Sequence, residues 1–216
     1  MQNQGIDLSV NYNQNFSKDF SRSSTLIFSK NVNELISITN GINLTGKTML
    51  NGYTEAIVTN TVVGEPIGQF YGYQSLGIIT TQEQLDNAAV PQTGNTPAPS
   101  SLGDIEYRDQ NGDGFINEKD VVAIGDPQPD FNYGFNNTFK YKAFDFTVFL
   151  QGTSGNKIYN LSRRAATLNT NLYQGQLAEA ADFYTVDNTD AEYPRPVAGL
   201  GHANLLLSDR FVEDGS

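Results

Sequence analysis

The sequence predicts an all-β chain, part of an antiparallel transmembrane β-barrel whose long extracellular loops carry short helices. Three observations predict it. Apolar and polar residues alternate with a period of two in several segments of about ten residues, the length a tilted strand needs to cross a bilayer. Aromatic residues collect toward the ends of those segments, as they do where membrane strands meet the interface. Very short connections alternate with very long ones, which is the ordinary asymmetry of outer-membrane barrels.

The elements follow in order. In "IDLSVNYNQNF", Ile6, Leu8, Val10, Tyr12 and Phe16 share one face while Asp7, Ser9, Asn11, Asn13 and Asn15 share the other, with Gln14 the single break. Such alternation is a strong strand signal. After the polar turn "SKDFSR", the segment "STLIFSK" sets Leu26 and Phe28 on one face. The pattern returns in "FNYGFNNTFKY", where Phe131, Tyr133, Phe135, Phe139 and Tyr141 oppose Asn132, Gly134, Asn136, Thr138 and Lys140. A tight connection at Lys142–Ala143 leads into "FDFTVFLQG", in which Phe144, Phe146, Val148 and Leu150 alternate with polar residues and Phe149 is the exception. These two runs read as a hairpin. Strands are expected at about 5–16, 22–30, 131–141, 143–151 and 209–216, with long loops over 31–130 and 152–208. Alternation alone also allows a soluble antiparallel sandwich with one buried face, in the form of a calcium-dependent carbohydrate-binding module. The loop asymmetry and the parity of down and up strands favour the membrane wall.

Composition narrows the function. The chain has 11 Tyr and 13 Phe, which is too aromatic for a disordered segment. Its formal net charge of −11 and lack of a basic stripe exclude a nucleic-acid role. Cysteine is absent, so disulfides and thiolate metal sites are excluded. No apolar run reaches the roughly 18 residues of a membrane helix, and "MQNQGIDLSV" has no signal-peptide pattern. The chain therefore reads as a slice of a longer protein.

The long loops hold recognisable pieces, and "VVGEPIGQFYGYQSLGII" (residues 62–79) reads as short irregular strands and turns. "TTQEQLDNAA" reads as a short helix capped by Thr80 or Thr81 with Glu83 or Gln84 in capping-box position. "VPQTGNTPAPSS" is a Pro- and Gly-rich connection, and a helix is expected from about Lys157 to Asn169. "DQNGDGFINEKD" matches a calcium-loop pattern: oxygen ligands Asp109, Asn111 and Asp113, the turn glycine Gly114, the Phe115 carbonyl, Asn117, and Asp120 closing the run. The closing residue is Asp rather than Glu and no long helices flank it, so the expected role is a structural Ca²⁺ clasp rather than a sensor. An Asx-rich turn without an ion is the plain alternative. Ile116 is expected to pin this loop to an apolar cluster. Asn-rich, aromatic-rich loop surface suits sugar or peptide contacts, since planar amides bond hydroxyls and rings stack on sugar faces, although most such residues are simply solvated. His202 has no nucleophile motif near it; Asp104 and Glu106 lack the fold context of a glycosidase pair; Arg163 and Arg164 read as a solvated helix face. No enzyme is expected.

At "GDIEYRDQNGDGFINEKDVVAIGDPQPDFNYGFNNTFKYKAFDFTVFLQGTSGNKIYN" (residues 103–160) the sequence resembles the C-terminal barrel region of SusC/RagA-type TonB-linked outer-membrane transporters, and "VVGEPIGQFYGYQSLGII" and "SDRFVEDGS" resemble that family's flanking motifs. The resemblance implies a segment of a plugged barrel of about 22 strands, in the outer membrane of a Gram-negative cell. It further implies import of oligosaccharides or peptides, a SusD-like surface lipoprotein as lid, and a TonB–ExbB–ExbD complex as energy source. Plug, TonB box and most strands have no counterpart in these residues.

Overall fold

A computed structural model of the protein describes residues 1–41, 43–50, 54–93, 96–168, 175–197 and 202–216. Strands β1 (Gln2–Asn15) and β2 (Phe20–Glu34) form the first hairpin. Nine short strands follow: β3 (Leu44–Leu50), β4 (Thr54–Thr61), β5 (Gln69–Gly72), β6 (Ser75–Ile78), β7 (Val90–Thr93), β8 (Thr96–Pro97), β9 (Ile105–Tyr107), β10 (Phe115–Ile116) and β11 (Val122–Gly125). A second long hairpin comprises β12 (Phe131–Tyr141) and β13 (Phe144–Ser154). The short strands β14 (Lys157–Tyr159) and β15 (Val212–Asp214) and the helices α1 (Gln82–Asn87) and α2 (Leu161–Thr167) complete the regular structure.

The four long strands make one antiparallel sheet in the order β1–β2–β12–β13, hereafter the wall. Register runs from Gln2↔Glu34 to Asn15↔Ser21 in the first hairpin and from Phe131↔Ser154 to Tyr141↔Phe144 in the second. The hairpins join through β2 and β12, from Ser29↔Asn132 to Phe20↔Tyr141. Because side chains alternate, this register sorts the wall into two unlike faces. One carries Ile6, Leu8, Val10, Leu26, Phe146 and Leu150 and is open: Ile6 is 70% exposed, Phe146 64% and Leu150 57%. The other face is a polar ladder, with Ser29 bonded to Asp7 at 2.5 Å, Thr25 to Asn11 at 2.8 Å, Ser23 to Asn13 at 2.6 Å, and Thr138 to Thr147 at 3.0 Å. Among the described residues no second sheet covers the apolar face, as a sandwich requires.

Both tight turns lie at one end of the wall. Ser17 Oγ accepts the N–H groups of Asp19 and Phe20, and the Lys142 N–H donates to the Asp19 carbonyl, tying the two turns together. Lys142 has φ +54°, the left-handed region that a two-residue hairpin usually gives to glycine. On β13, Gly152 lies under its cross-strand partner Tyr133, whose hydroxyl would stand 2.5 Å from a Cβ there, so the aromatic ring fills the space that a glycine leaves in a strand.

The segments beyond the other end pack into a second body, hereafter the rim body. Its core is Val58, Ile105, Tyr107, Ile116, Tyr159, Leu168, Leu207 and Phe211, with Ile105 and Ile116 fully buried. Small sheets frame it: β11–β5–β4–β3, β10–β7–β8, β6–β9 and β14–β15.

Several expectations are corrected. Over 31–130, β2 extends to Glu34 and β3–β11 form, so regular structure goes beyond the short strands and turns expected over 62–79. No wall strand forms over 209–216. Asp209–Phe211 is a 3-10 turn, and β15 pairs with β14, because Phe211 is drawn into the core. Residues 157–159 are that β14 strand rather than helix, α2 is shorter than expected, and Asn169 lies outside the described residues. In the Pro-rich 90–101 segment, β7 and β8 pair as a small hairpin whose residues 94–95 lie outside the described residues.

Candidate functional site: the rim body and the two faces of the wall

The DQNGDG loop is held by its own amides. Asp109 accepts the N–H of Asn111, Gly112 and Gly114, at 2.7 Å for the last two. These bonds hold its carboxyl below the usual range, the Gly114 N–H contributing most. Asn111 Oδ1 accepts the Asp113 N–H, and Asp113 Oδ1 accepts the Phe115 N–H. Gly112 and Gly114 supply the φ of +74° and +82° that the turn demands. Asp120 is fully buried and receives the N–H of Gln110 at 2.9 Å and of Asn117 at 2.8 Å, so it ties the two ends of the loop together. Asn117 caps the short turn Glu118–Asp120. Ile116 enters the core as expected. The oxygen-rich donor set of Asp109, Asn111 and Asp113 suits a hard cation. Among the described residues, however, no three acidic or histidine side chains gather as a metal cluster, and Asp120 faces its own backbone.

A second clasp was hidden from the sequence. Asp104, fully buried, receives Arg195 through two bonds, Nε–Oδ1 at 2.7 Å and a terminal nitrogen to Oδ2 at 3.1 Å. It also accepts the Ser101 N–H at 2.7 Å and Asn204 Nδ2 at 3.1 Å. Asn204 in turn accepts the Ile105 N–H. His202 stands over this network, its Nδ1 accepting the Asn204 N–H. Burial, with help from Arg195 and against Asp104, lowers its proton affinity. Asp104 is thus a structural anchor and not half of an acid–base couple with Glu106.

The two arginines differ from the expected solvated face. Arg163 bonds Glu179 Oε1 at 2.9 Å and the Tyr193 hydroxyl at 2.9 Å, and lies 3.3 Å from Glu213; the Glu179 and Tyr193 bonds raise its guanidinium further above its usual range. Arg164 is buried against the Leu205 carbonyl, and desolvation lowers its affinity for its proton. A cleft of about 590 Å³ opens beside this body, with Thr45, Asn60, Tyr71, Tyr73 and Glu118 among its walls. Amide, hydroxyl and ring surfaces of this kind, with the polar wall face, offer hydrogen bonds and stacking to a polar solute.

The sequence reading also passed over a polar cluster on the apolar face of the wall, where Arg22, Ser24 and Asn137 bond to one another. Its signal was legible: Asn137 stands where the alternation calls for an apolar residue, and Arg22 and Ser24 interrupt the same phase of β2 between Phe20 and Leu26.

No family model matches the chain. Curated relatives do. TonB-dependent receptor P26 of Formosa agariphila is 33% identical over 218 residues, covering 100% of this chain and 21% of the relative. TonB-dependent receptor SusC of Bacteroides thetaiotaomicron is 24% identical over 223 residues, covering 100% of this chain and 19% of the relative. A solved structure of the RagAB peptide transporter superposes with a TM-score of 0.65 at 19% identity, over 94% of this chain and 21% of that one. The chain belongs to the SusC/RagA type of TonB-dependent receptors. It spans about a fifth of the length of the curated relatives it matches. A RagAB structure in the open-open state gives a TM-score of 0.57 over 95% of this chain and 20% of that one. The names of these receptors and transporters agree with the expectation that the SusC/RagA-type chain is not an enzyme.

Proposed function

We propose that this chain supplies part of the wall and the extracellular rim of an outer-membrane nutrient importer. In this reading β1, β2, β12 and β13 are four strands of a plugged barrel of about 22 strands, their apolar face toward lipid and their polar ladder toward the lumen. The observation that carries it is the pairing of an open apolar face with a polar one on strands of 11 to 15 residues, the two short turns at one end and the packed loop body at the other. The imported solute is an oligosaccharide or a peptide, a SusD-like lipoprotein lies over the rim body, and a TonB–ExbB–ExbD complex drives transport through parts of the receptor beyond this segment.

Surface labelling tests the orientation. In cells carrying the full-length receptor, a thiol from Val186→Cys, on a residue 85% exposed in the rim body, is expected to react with an impermeant maleimide. One from Lys18→Cys at the short turn is expected to react only after the outer membrane is opened. The reverse pattern sinks the reading.

The clasp on Asp109, Asn111, Asp113 and the Phe115 carbonyl, with Asn117 and Asp120 beside it, belongs to this proposal as a Ca²⁺ site that stiffens the rim. What supports it is the hard-oxygen donor set alone. Calcium is expected to protect the amides of residues 109–115 from hydrogen exchange, and Asp113→Ala to abolish that protection; equal protection in the variant removes the cation from the account.

A further inference from the structure

An arginine on a lipid-facing surface needs a reason. Arg22 pairs with Phe139 across β2 and β12, and its guanidinium lies over the Phe139 ring at 5.5 Å. Its Nε is fixed by Ser24 Oγ at 2.9 Å and Asn137 Oδ1 at 3.2 Å. Ser24 and Asn137 are themselves joined at 2.5 Å and are only 8% and 6% exposed. The ring below and the two acceptors beside it hold the guanidinium in one orientation. Among the described residues, its two terminal nitrogens have no protein acceptor, so a planar pair of N–H donors is presented outward, the geometry that matches phosphate oxygens.

The surroundings place that donor pair at headgroup depth. Arg22 is two residues from Phe20, beside the turn, and Phe20, Tyr141 and Phe144 form an aromatic band there. Below the band are Lys18 and Lys142, which help line a cleft of about 400 Å³. The Lys142 ammonium lies 5.5 Å from the Tyr141 ring, on a residue that holds a glycine-type φ of +54°. Two carboxylates face the same end: Asp145, committed to Lys140 at 3.8 Å, and Asp19 at the turn. Cations therefore outnumber anions here, in a chain whose formal net charge is −11.

We propose that this end of the wall is a binding site for an anionic phospholipid of the leaflet on the short-turn side. Arg22 takes the phosphate as a bidentate ligand, Lys18 and Lys142 neutralise it from below, and the acyl chains lie along Phe139, Phe146 and Leu26. The inference rests on the bilayer-wall reading and adds its partner. Charge complementarity selects the occupant, because a zwitterionic headgroup brings its own cation to compete with these three.

The test uses the full-length receptor in nanodiscs of mixed phosphatidylcholine and phosphatidylglycerol, with retained lipids identified by native mass spectrometry. The wild type is expected to retain phosphatidylglycerol preferentially, and Arg22→Gln to cut that preference roughly fivefold, the worth of one cation at a lipid surface. Lys18→Gln with Lys142→Gln leaves the wall register untouched and is expected to cut it at least as far, which keeps the test open if the arginine variant does not insert. Equal retention of both lipids by the wild type overturns the site, as does an undiminished preference in the variants. Displacement of the lipid by inorganic phosphate overturns it too, since the site would then be one for free anions. A thiol from Phe146→Cys, in a cysteine-free background, separates this from the reading beneath. If that thiol is shielded from a water-soluble maleimide while no lipid preference exists, the headgroup site alone is wrong; if it reacts freely in the nanodisc, the bilayer wall is wrong.

Discussion

The wall and the rim body use the same residue types in opposite ways. In the rim body Phe211 is 2% exposed and Ile105 fully buried, so water is excluded from a small packed interior. In the wall Phe144 is 77% exposed and Phe146 64%, and the strands are held by backbone ladders and a hydrogen-bonded polar face. Side-chain burial within the protein stabilises the first; the second leaves its apolar surface open, as the proposed bilayer wall requires. Apolar content alone therefore says little about where a residue's stabilisation comes from, whereas its burial among other residues does.

The largest test of that contrast is Phe211→Ala, which empties the centre of the rim core. Hydrogen exchange at Ile105 and Tyr107 is expected to report a loss of about 3–5 kcal/mol, while Leu150→Ala on the wall leaves those amides unchanged. Removing the buried carboxylate by Asp104→Ala strands Arg195 and Asn204. Because Arg195 is one third exposed, a loss of about 2–4 kcal/mol in the same amides is expected, again without effect on the wall. Leu150→Arg inverts the comparison. In liposomes it is expected to cost the wall about 2–3 kcal/mol by urea unfolding and to leave the rim amides protected; a rim that loosens with it would show that the two regions are not separate. Lys142→Gly relieves the left-handed turn and is expected to stabilise the wall hairpin by about 1 kcal/mol in the same unfolding measurement.

The smallest effect is a pH dependence confined to the rim. Burial lowers the folded-state proton affinity of His202, so the unfolded rim binds more protons between that lowered value and the ordinary one near 6.5. The contribution of His202 is fully present above pH about 6.5 and declines as the pH falls toward the folded value. Exchange at Ile105 is expected to quicken over that interval in the wild type and to lose this dependence in His202→Gln.

What was legible in the sequence follows from the same contrast. The segments 131–141 and 5–16 announced themselves because a strand with one apolar face shows its period whatever it pairs with. The capping box of α1 showed because it is local, with Thr81 and Gln84 forming it from the candidates the sequence offered, and Ile116, beside the exposed Phe115 in a polar loop, enters the core as expected. The rim sheets showed only in part: the segment 62–79 reads as short strands and turns, but the pairing of strands as short as β10 or β9 could not be read, since two or three residues carry no period. Nor could the pairing of Asp104 with Arg195 be read, for those residues lie 91 positions apart and only tertiary packing brings them together. The segment 209–216 looked like a wall strand from the parity of down and up strands, and packing of Phe211 decided otherwise.

The junction between β2 and β12 has a kinetic consequence. Ser24 and Asn137 meet across 113 positions of chain, and closing a flexible loop of that length costs about 4 kcal/mol in entropy before any pairing offsets it. That cost falls if the intervening residues condense first, because Val58, Ile105, Tyr107 and Ile116, half of the core, lie inside the loop and shorten its effective span. The order of events is then set by topology: the two hairpins and the inner rim form from local contacts, and the zipping of β2 to β12 comes late. Phe28→Ala, at that late seam, is expected to quicken unfolding while leaving the folding rate nearly unchanged.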